Sequence, residues 1–157
     1  MPSEYPQAQQ KTDNTHVKIN TILAYTLPGV PVVVFANDVV ETKSGTVENF
    51  STLLTSLRSL HMNLEQENSI ELSPVSVSTN VGIWCFERKS ADQRVLVIVN
   101  NTNLKRIVSV QVPSQFTGSA KDYLRSQRLR VKEGRLSIVL RSYDAMIVAR
   151  DSRGRDR

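Results

Sequence analysis

The spacing of apolar residues divides the chain into two parts at about residue 68. In the first part, apolar residues recur at helical intervals within residues 17–27 and again within residues 50–64. In the second part the period falls to two, as in the segments "RIVSVQV" and "RLSIVL". The pattern therefore predicts two amphipathic helices followed by a series of β-strands.

The segment between the two predicted helices is an unrelieved apolar run. Pro28-Gly29 ends the first helix, because proline lacks an amide hydrogen and glycine accepts the left-handed backbone that follows many helices. The run from Val30 to Phe35 then contains no polar residue. Strands that are covered on both faces have this composition, as in parallel α/β sheets, so we predict a buried strand between the helices.

The second part is predicted to contain seven strands, joined by short turn-like links such as "KSADQ" and "KEG". Sequential hairpins at this spacing are typical of an antiparallel sandwich, and we expect residues 69–150 to fold as a unit. The predicted strands span residues 70–78, 82–88, 94–100, 106–112, 129–132, 135–140 and 145–149. The fold class is therefore α+β, with a flexible lead-in over residues 1–13, a helical unit over 14–67, a β-sandwich over 68–150 and a disordered basic tail over 151–157.

Composition and charge exclude several classes of protein. The chain has 157 residues, fewer than the roughly 250 of a complete (β/α)8 barrel. The net charge of +5 lies mainly after Lys121, without interleaved aromatic residues for base stacking, so we predict no nucleic-acid binding. No apolar run approaches the roughly 18 residues of a membrane span, and the polar start lacks the apolar region of a signal peptide. We expect a soluble chain.

Residue types that carry chemistry are sparse. Cys85, in the apolar segment "GIWCFER", is predicted to be a buried and inert thiol. His16 is interpreted as a residue of the first helical turn, and His61 as a partner of the dipole at the end of the second helix. No group of His, Cys or acidic residues has the spacing of metal ligands, so we predict no metal and no cofactor.

Three aromatic residues of the second part raise the question of carbohydrate binding. Trp84, Phe86 and Tyr143 could form an exposed platform for sugar rings, but they alternate regularly with polar neighbours. We therefore predict that they have a core role.

The order of these motifs resembles the C-terminal part of the alpha-amylase family of glycoside hydrolases. In that family the last barrel strand carries a pattern similar to T-L-P-G-x-P-V-x-x-x-G-[DE]-E-I-G. The segment "SLRSLHMN" is similar to the family's last barrel helix, and "VGIWCFER" and "QRVLVIVNNTN" are similar to early strands of its β-sandwich. The positions that match the barrel-strand pattern are Thr26, Leu27, Pro28, Gly29, Pro31 and, loosely, Asp38.

The resemblance covers residues 16–149 and has consequences for fold and chemistry. It implies that residues 14–67 are the last helix, strand and helix of a TIM-type (β/α)8 barrel, whose other strands would come from a longer parent chain or from a partner. Retaining glycosidases use two carboxylates roughly 5 Å apart on different barrel strands. Since Asp38 is the only acid at the end of the predicted barrel strand, we predict no catalytic residue in this chain and interpret Asp38 as a loop-closing hydrogen-bond acceptor.

Two branches of the family fit this pattern. The loop after Phe35, with Ala36 and Asn37 where the enzymes have glycine and an acid, resembles the enzymatically silent heavy-chain glycoproteins of heteromeric amino-acid transporters. That resemblance implies a transporter light-chain subunit as partner and a location at the extracellular face of the plasma membrane. The sequons that begin at Asn49 and Asn100 fit such a glycoprotein, and Asn100 is expected at a turn with room for a glycan. The alternative is the C-terminal part of an active α-glucosidase or maltase of carbohydrate metabolism.

Overall fold

Two helices precede eight strands in the part of the chain that the computed structural model describes, namely residues 16–32, 46–65, 71–75, 82–90, 93–118 and 120–150. A short 3-10 turn, Ser114–Phe116, precedes the fifth strand. The elements are α1 (Val17–Thr26), α2 (Thr46–Glu65), β1 (Glu71–Pro74), β2 (Ile83–Lys89), β3 (Arg94–Asn100), β4 (Arg106–Gln111), β5 (Ala120–Asp122), β6 (Val131–Lys132), β7 (Arg135–Leu140) and β8 (Asp144–Arg150).

The described strands form two antiparallel sheets that pack face to face. The larger sheet has the order β1-β2-β3-β8-β5, and the smaller has the order β4-β7-β6. Strand β7 alternates between exposed and buried residues, as a strand with one covered face must. The predicted antiparallel sandwich is confirmed, although the three-residue strand β5 was not predicted. The core between the sheets includes Leu96, Ile98, Val108, Val110, Leu136, Ile138 and Leu140.

The two helices form a third layer on the other face of the larger sheet. Strand β3 lies in the middle of the three layers, and every residue from Val95 to Asn100 is buried. This double coverage explains why "VLVIV" does not alternate: both faces of the strand are removed from water. The core between helices and sheet includes Ile19, Ile22, Leu57, Leu60, Leu64, Val95, Val97, Val99 and Ile147.

The buried strand predicted between the helices is not observed in the part of it that the structure describes. Residues 30–32 have no strand pairing, and the side chains of Val30 and Val32 are 89% and 77% exposed. A strand covered on both faces needs neighbours to pair with, and the described residues provide none there. The rest of the predicted strand, Asp38, the lead-in and the basic tail lie outside the described residues.

Gly82 provides a test of the packing at the start of β2. Its φ is +70°, the same as that of Gly134, but a Cβ at Gly82 would lie 2.2 Å from Cγ2 of Thr102, whereas a Cβ at Gly134 would meet nothing within 4 Å. Gly134→Ala is expected to cost about 1 kcal/mol of folding free energy for the left-handed backbone alone. Gly82→Ala should cost about 1–3 kcal/mol more, because the loop must also move. Urea unfolding followed by circular dichroism measures both, and equal losses would contradict the predicted clash.

Candidate functional site at the end of helix α1

Helix α1 ends at the Thr26-Leu27-Pro28-Gly29 motif for local reasons. Pro28 restricts the residue before it to extended backbone, and Leu27 has φ −77° and ψ 153°. Gly29 follows with a φ of +116°, a region that favours glycine. The amide of Leu27 still donates to the carbonyl of Leu23 at 2.9 Å. The helix therefore stops where the sequence predicts, and carbonyls of its last turn must find donors outside the helix.

Donors for these carbonyls come from two distant elements. Arg88 of β2 has a fully buried side chain, and its Nη1 donates to the carbonyls of Thr26 and Leu27, both at 3.0 Å. Nδ1 of His61, on α2, lies 3.1 Å from the carbonyl of Tyr25. The guanidinium charge also complements the negative end of the helix dipole. His61 lies near the C-terminal end of α2, and in addition to the predicted role at that end it contacts the end of α1.

The same contacts place the C-terminal ends of α1 and α2 side by side. The rings of Tyr25 and His61 meet edge to face, with centroids 6.0 Å apart. The hydroxyl of Thr26 is buried and donates to the carbonyl of Ile22 at 2.7 Å. Helices that flank one parallel strand have neighbouring C-terminal ends, so this arrangement is the one expected of consecutive helices in a (β/α)8 barrel.

A second group of polar contacts joins α1 to the sandwich. Lys18 of α1 forms an ion pair with Asp144, the first residue of β8. Arg125 binds Asp122 through Nη1 at 2.7 Å and Asp144 through Nη2 at 3.3 Å, and the side chain of Asp122 is fully buried. Burial lowers the pKa of the Arg125 guanidinium, but the hydrogen bonds and charges of Asp122 and Asp144 outweigh burial and raise it. Each carboxylate is thus paired with a cation, and removal of one partner would leave an uncompensated charge at the junction of α1 with the sandwich.

Cys85 is the buried thiol that its sequence context predicts. It lies on β2 in the core between the sheets and is not part of a disulfide. Burial, with a smaller contribution from the charge of Glu87, raises the pKa of the thiol from 9.0 to about 12. At neutral pH the group is therefore protonated and a poor nucleophile, since the thiolate is the reactive form.

The raised pKa of Cys85 predicts a loss of stability in alkaline solution. Between pH 9 and pH 12 the unfolded chain releases a thiol proton that the folded chain retains, so the contribution of this group is complete below pH 9 and is lost as the pH rises toward 12. We expect the free energy of unfolding to fall with pH more steeply for the unaltered chain than for Cys85→Ala, by up to about 1.4 kcal/mol per pH unit. Urea titrations at several pH values measure both slopes. Parallel slopes would show that the thiol does not resist ionisation.

The sequon at Asn100 does not have the accessibility predicted for it. Asn100 is fully buried, and its Nδ2 donates to the carbonyls of Leu104 at 2.8 Å and Arg141 at 2.7 Å. Its Oδ1 accepts from the hydroxyl of Thr102 at 2.6 Å. The side chain thus closes a turn and leaves no room for a glycan on Nδ2. The backbone of Asn49 lies in α2, and its side chain is outside the described residues.

The three aromatic residues of the second part have different environments. Phe86 and Tyr143 pack against the core between helices and sheet, as predicted. The ring of His16, directly before α1, meets that of Tyr143 edge to face at a centroid distance of 4.4 Å. Trp84 is 52% exposed, so its assignment to the core was wrong. It shares a face with Phe86 and Arg88, at an end of β2 where the described residues do not cover it.

Two absences hold for the described parts of the chain. No group of three or more His, Cys, Asp and Glu side chains within them is arranged to hold a metal ion. No helix within them is both long enough and apolar enough to cross a membrane.

Comparisons with known proteins point to one group of enzymes. The chain is 35% identical to neopullulanase 2 of Thermoactinomyces vulgaris over 66 residues, which make up 42% of this chain and 11% of that protein. An alpha-amylase of Anoxybacillus matches 88% of the chain with 18% identity and a TM-score of 0.63, and the alpha-amylase of Geobacillus thermoleovorans matches 87% with 16% identity and a TM-score of 0.61. The chain spans about a third of each of these two structures, 33% in both cases. No protein-family model matches the sequence.

Proposed function

We propose that this chain is the C-terminal part of an alpha-amylase-family glycoside hydrolase that acts on α-glucans, and that its sandwich holds the last helices of the catalytic barrel in place. The observation that carries the proposal is the contact of Arg88 with Thr26 and Leu27. Each partner belongs to a motif that resembles the family, one in the barrel and one in the sandwich. The two motifs are about 60 residues apart in the sequence, and they meet through two hydrogen bonds.

The similar proteins support an enzyme as the parent. Neopullulanase and alpha-amylase are names of enzymes that act on α-glucans, and the similarity to the Anoxybacillus alpha-amylase structure extends over 88% of this chain. The heavy chain of an amino-acid transporter is not supported by these comparisons, and neither is a transporter light chain as partner. The loop after Phe35, on which the heavy-chain resemblance depended, lies outside the described residues.

The part played by this chain in such an enzyme is positional. Cleavage of the glycosidic bond requires two carboxylates at the C-terminal ends of barrel strands, held at a fixed separation. Helices packed on the outside of a barrel fix the positions of those strands, and an error of about 1 Å in placement can reduce catalysis by about a hundredfold. Arg88, His61 and the pair of Lys18 with Asp144 anchor α1 at both of its ends.

The proposal is tested by sequencing the gene upstream of this chain and by assaying the protein that the whole gene encodes. The genomic sequence preceding the codon for Met1 is expected to encode the earlier strands of a barrel with the paired acids, and the whole protein should release reducing sugars from soluble starch or pullulan. Replacement of either acid by its amide should abolish the release, which excludes a contaminating amylase. An upstream sequence that encodes a membrane helix and a barrel without paired acids, or that encodes no barrel at all, would refute the proposal that the parent protein is an enzyme.

A further inference from the structure

One apolar patch lies beside the site at the end of α1. It consists of Leu27, Leu72, Pro74 and Trp84, and all four side chains are exposed. Single exposed apolar residues are common on protein surfaces, but a group that includes a half-exposed tryptophan is a candidate interaction surface. We refer to these four residues as the Trp84 patch.

Strand register places the patch on the side of the larger sheet that faces the helices. Leu72 is paired with Arg88 and Pro74 with Phe86, and residues directly opposite each other in an antiparallel pair share a face. Trp84 shares that face because it is two residues from Phe86. Since Phe86 packs against the core under the helices and Arg88 binds the carbonyl of Leu27, the patch continues an interface that is already buried.

The patch therefore differs from the other exposed apolar pair of the sheets. Ile107 and Val139 are directly opposite each other on the outer face of the smaller sheet, where the described residues form no buried interface beside them. The chain that leaves the Trp84 patch through Pro31 has two further exposed valines, Val30 and Val32. Apolar surface thus extends from the sheet onto the segment that resembles a barrel strand.

We propose that the Trp84 patch is the surface on which the rest of the catalytic barrel packs, through apolar side chains of the same longer polypeptide. This inference rests on the proposed function. Its further support is continuity. The patch adjoins α1, which resembles a barrel helix, and this chain spans only 33% of the length of the two alpha-amylase structures described above. Burial of Trp84 there would extend the anchoring of α1 into a contact with the whole barrel.

Cysteine labelling tests the proposal in the whole protein. Leu72→Cys, within the patch, and Val139→Cys, on the opposite side of the sandwich, are matched because the original side chains are 44% and 52% exposed and both lie in strands. Cys85 gives little background because its thiol is buried, with a pKa of about 12. Each variant is made in the 157-residue chain and in the longer protein, checked by circular dichroism, and treated with a maleimide at pH 7. Peptide mass spectrometry gives the rate at each position.

The expected result is similar labelling of both positions in the 157-residue chain and at least tenfold slower labelling of Leu72→Cys alone in the longer protein. If the longer protein cleaves starch but both cysteines are labelled at the same rate, the barrel does not pack on the Trp84 patch, and the proposed function is unaffected. Protection that appears in the 157-residue chain with rising concentration would assign the patch to a second copy instead. A parent gene without a barrel would refute both proposals together.

Discussion

Replacement of Arg88 by leucine is expected to lower the free energy of unfolding by about 3–5 kcal/mol, a large share of the roughly 5–15 kcal/mol of a typical domain. Arg88 is fully buried and donates two hydrogen bonds to carbonyls at the end of α1. Leucine has similar bulk but no donor, so these carbonyls lose a charged partner inside the protein. Urea unfolding followed by circular dichroism measures the loss.

Two variants separate the hydrogen bonds from other effects. Arg88→Lys retains the charge on a shorter side chain and should recover only part of the loss, because an ammonium group cannot reproduce the reach of Nη1. Arg135→Ala removes an exposed arginine on the smaller sheet and should change stability by less than about 0.5 kcal/mol.

Hydrogen exchange should accelerate at the amides of residues 23–27 in Arg88→Leu before it accelerates in β7. If Arg88→Leu unfolded at the same urea concentration as Arg135→Ala, the anchoring role would be wrong.

Periodicity predicted the elements that bury a single face. The helical stripe within residues 50–64 consists of Phe50, Leu53, Leu54, Leu57, Leu60 and Leu64. The last three are fully buried and the first three are partly buried. The alternation of β7 identified its inward-facing residues in the same way. Both predictions succeed because the pattern along one element reflects which of its faces is removed from water.

Continuous apolar runs are harder to interpret, since they show that both faces need cover without showing what covers them. The run in β3 is covered by a sheet on one face and by helices on the other, so the third layer was missed. The run that begins at Val30 has the same composition, and its first residues are exposed. The elements that decide between these outcomes are distant in the sequence, so the run itself does not identify them.

The site residues show the same limit. In the segment "GIWCFER" Arg88 alternates with Phe86 and Trp84, but its partners are 61 and 62 residues away, and only the fold brings them together. A local triplet likewise marks Asn100 as a sequon but cannot report that both of its amide hydrogens are used inside a turn. An arginine in line with inward-facing Phe86 was the available signal, because a charge at such a position requires a partner.

Residues 69–150 without the helices are expected to fail to fold as a soluble monomer, in contrast to the independent unit that the strand pattern suggests. Removal of α1 and α2 exposes the face of β3 and β8 that the helices cover. Burial of a valine or isoleucine side chain contributes roughly 1.5–3 kcal/mol, so several such losses approach the stability of the whole domain. The side chains that would be exposed are Val95, Val97, Val99, Ala145 and Ile147.

Controls for the truncated chain address this face directly. Co-expression with residues 1–65 should restore a soluble complex, because Ile22 and Leu57 again cover the sheet. The double variant Val97→Thr/Ile147→Thr should reduce aggregation of the truncated chain, because threonine is favourable in strands and can be exposed to water. The same double variant should destabilise the full chain, because its hydroxyl groups would be buried there. Size-exclusion chromatography with light scattering and urea unfolding distinguish the outcomes. A monomeric fragment of residues 69–150 with a single cooperative transition would contradict this prediction. It would mean that the helices depend on the sandwich for their stability but that the sandwich does not depend on the helices.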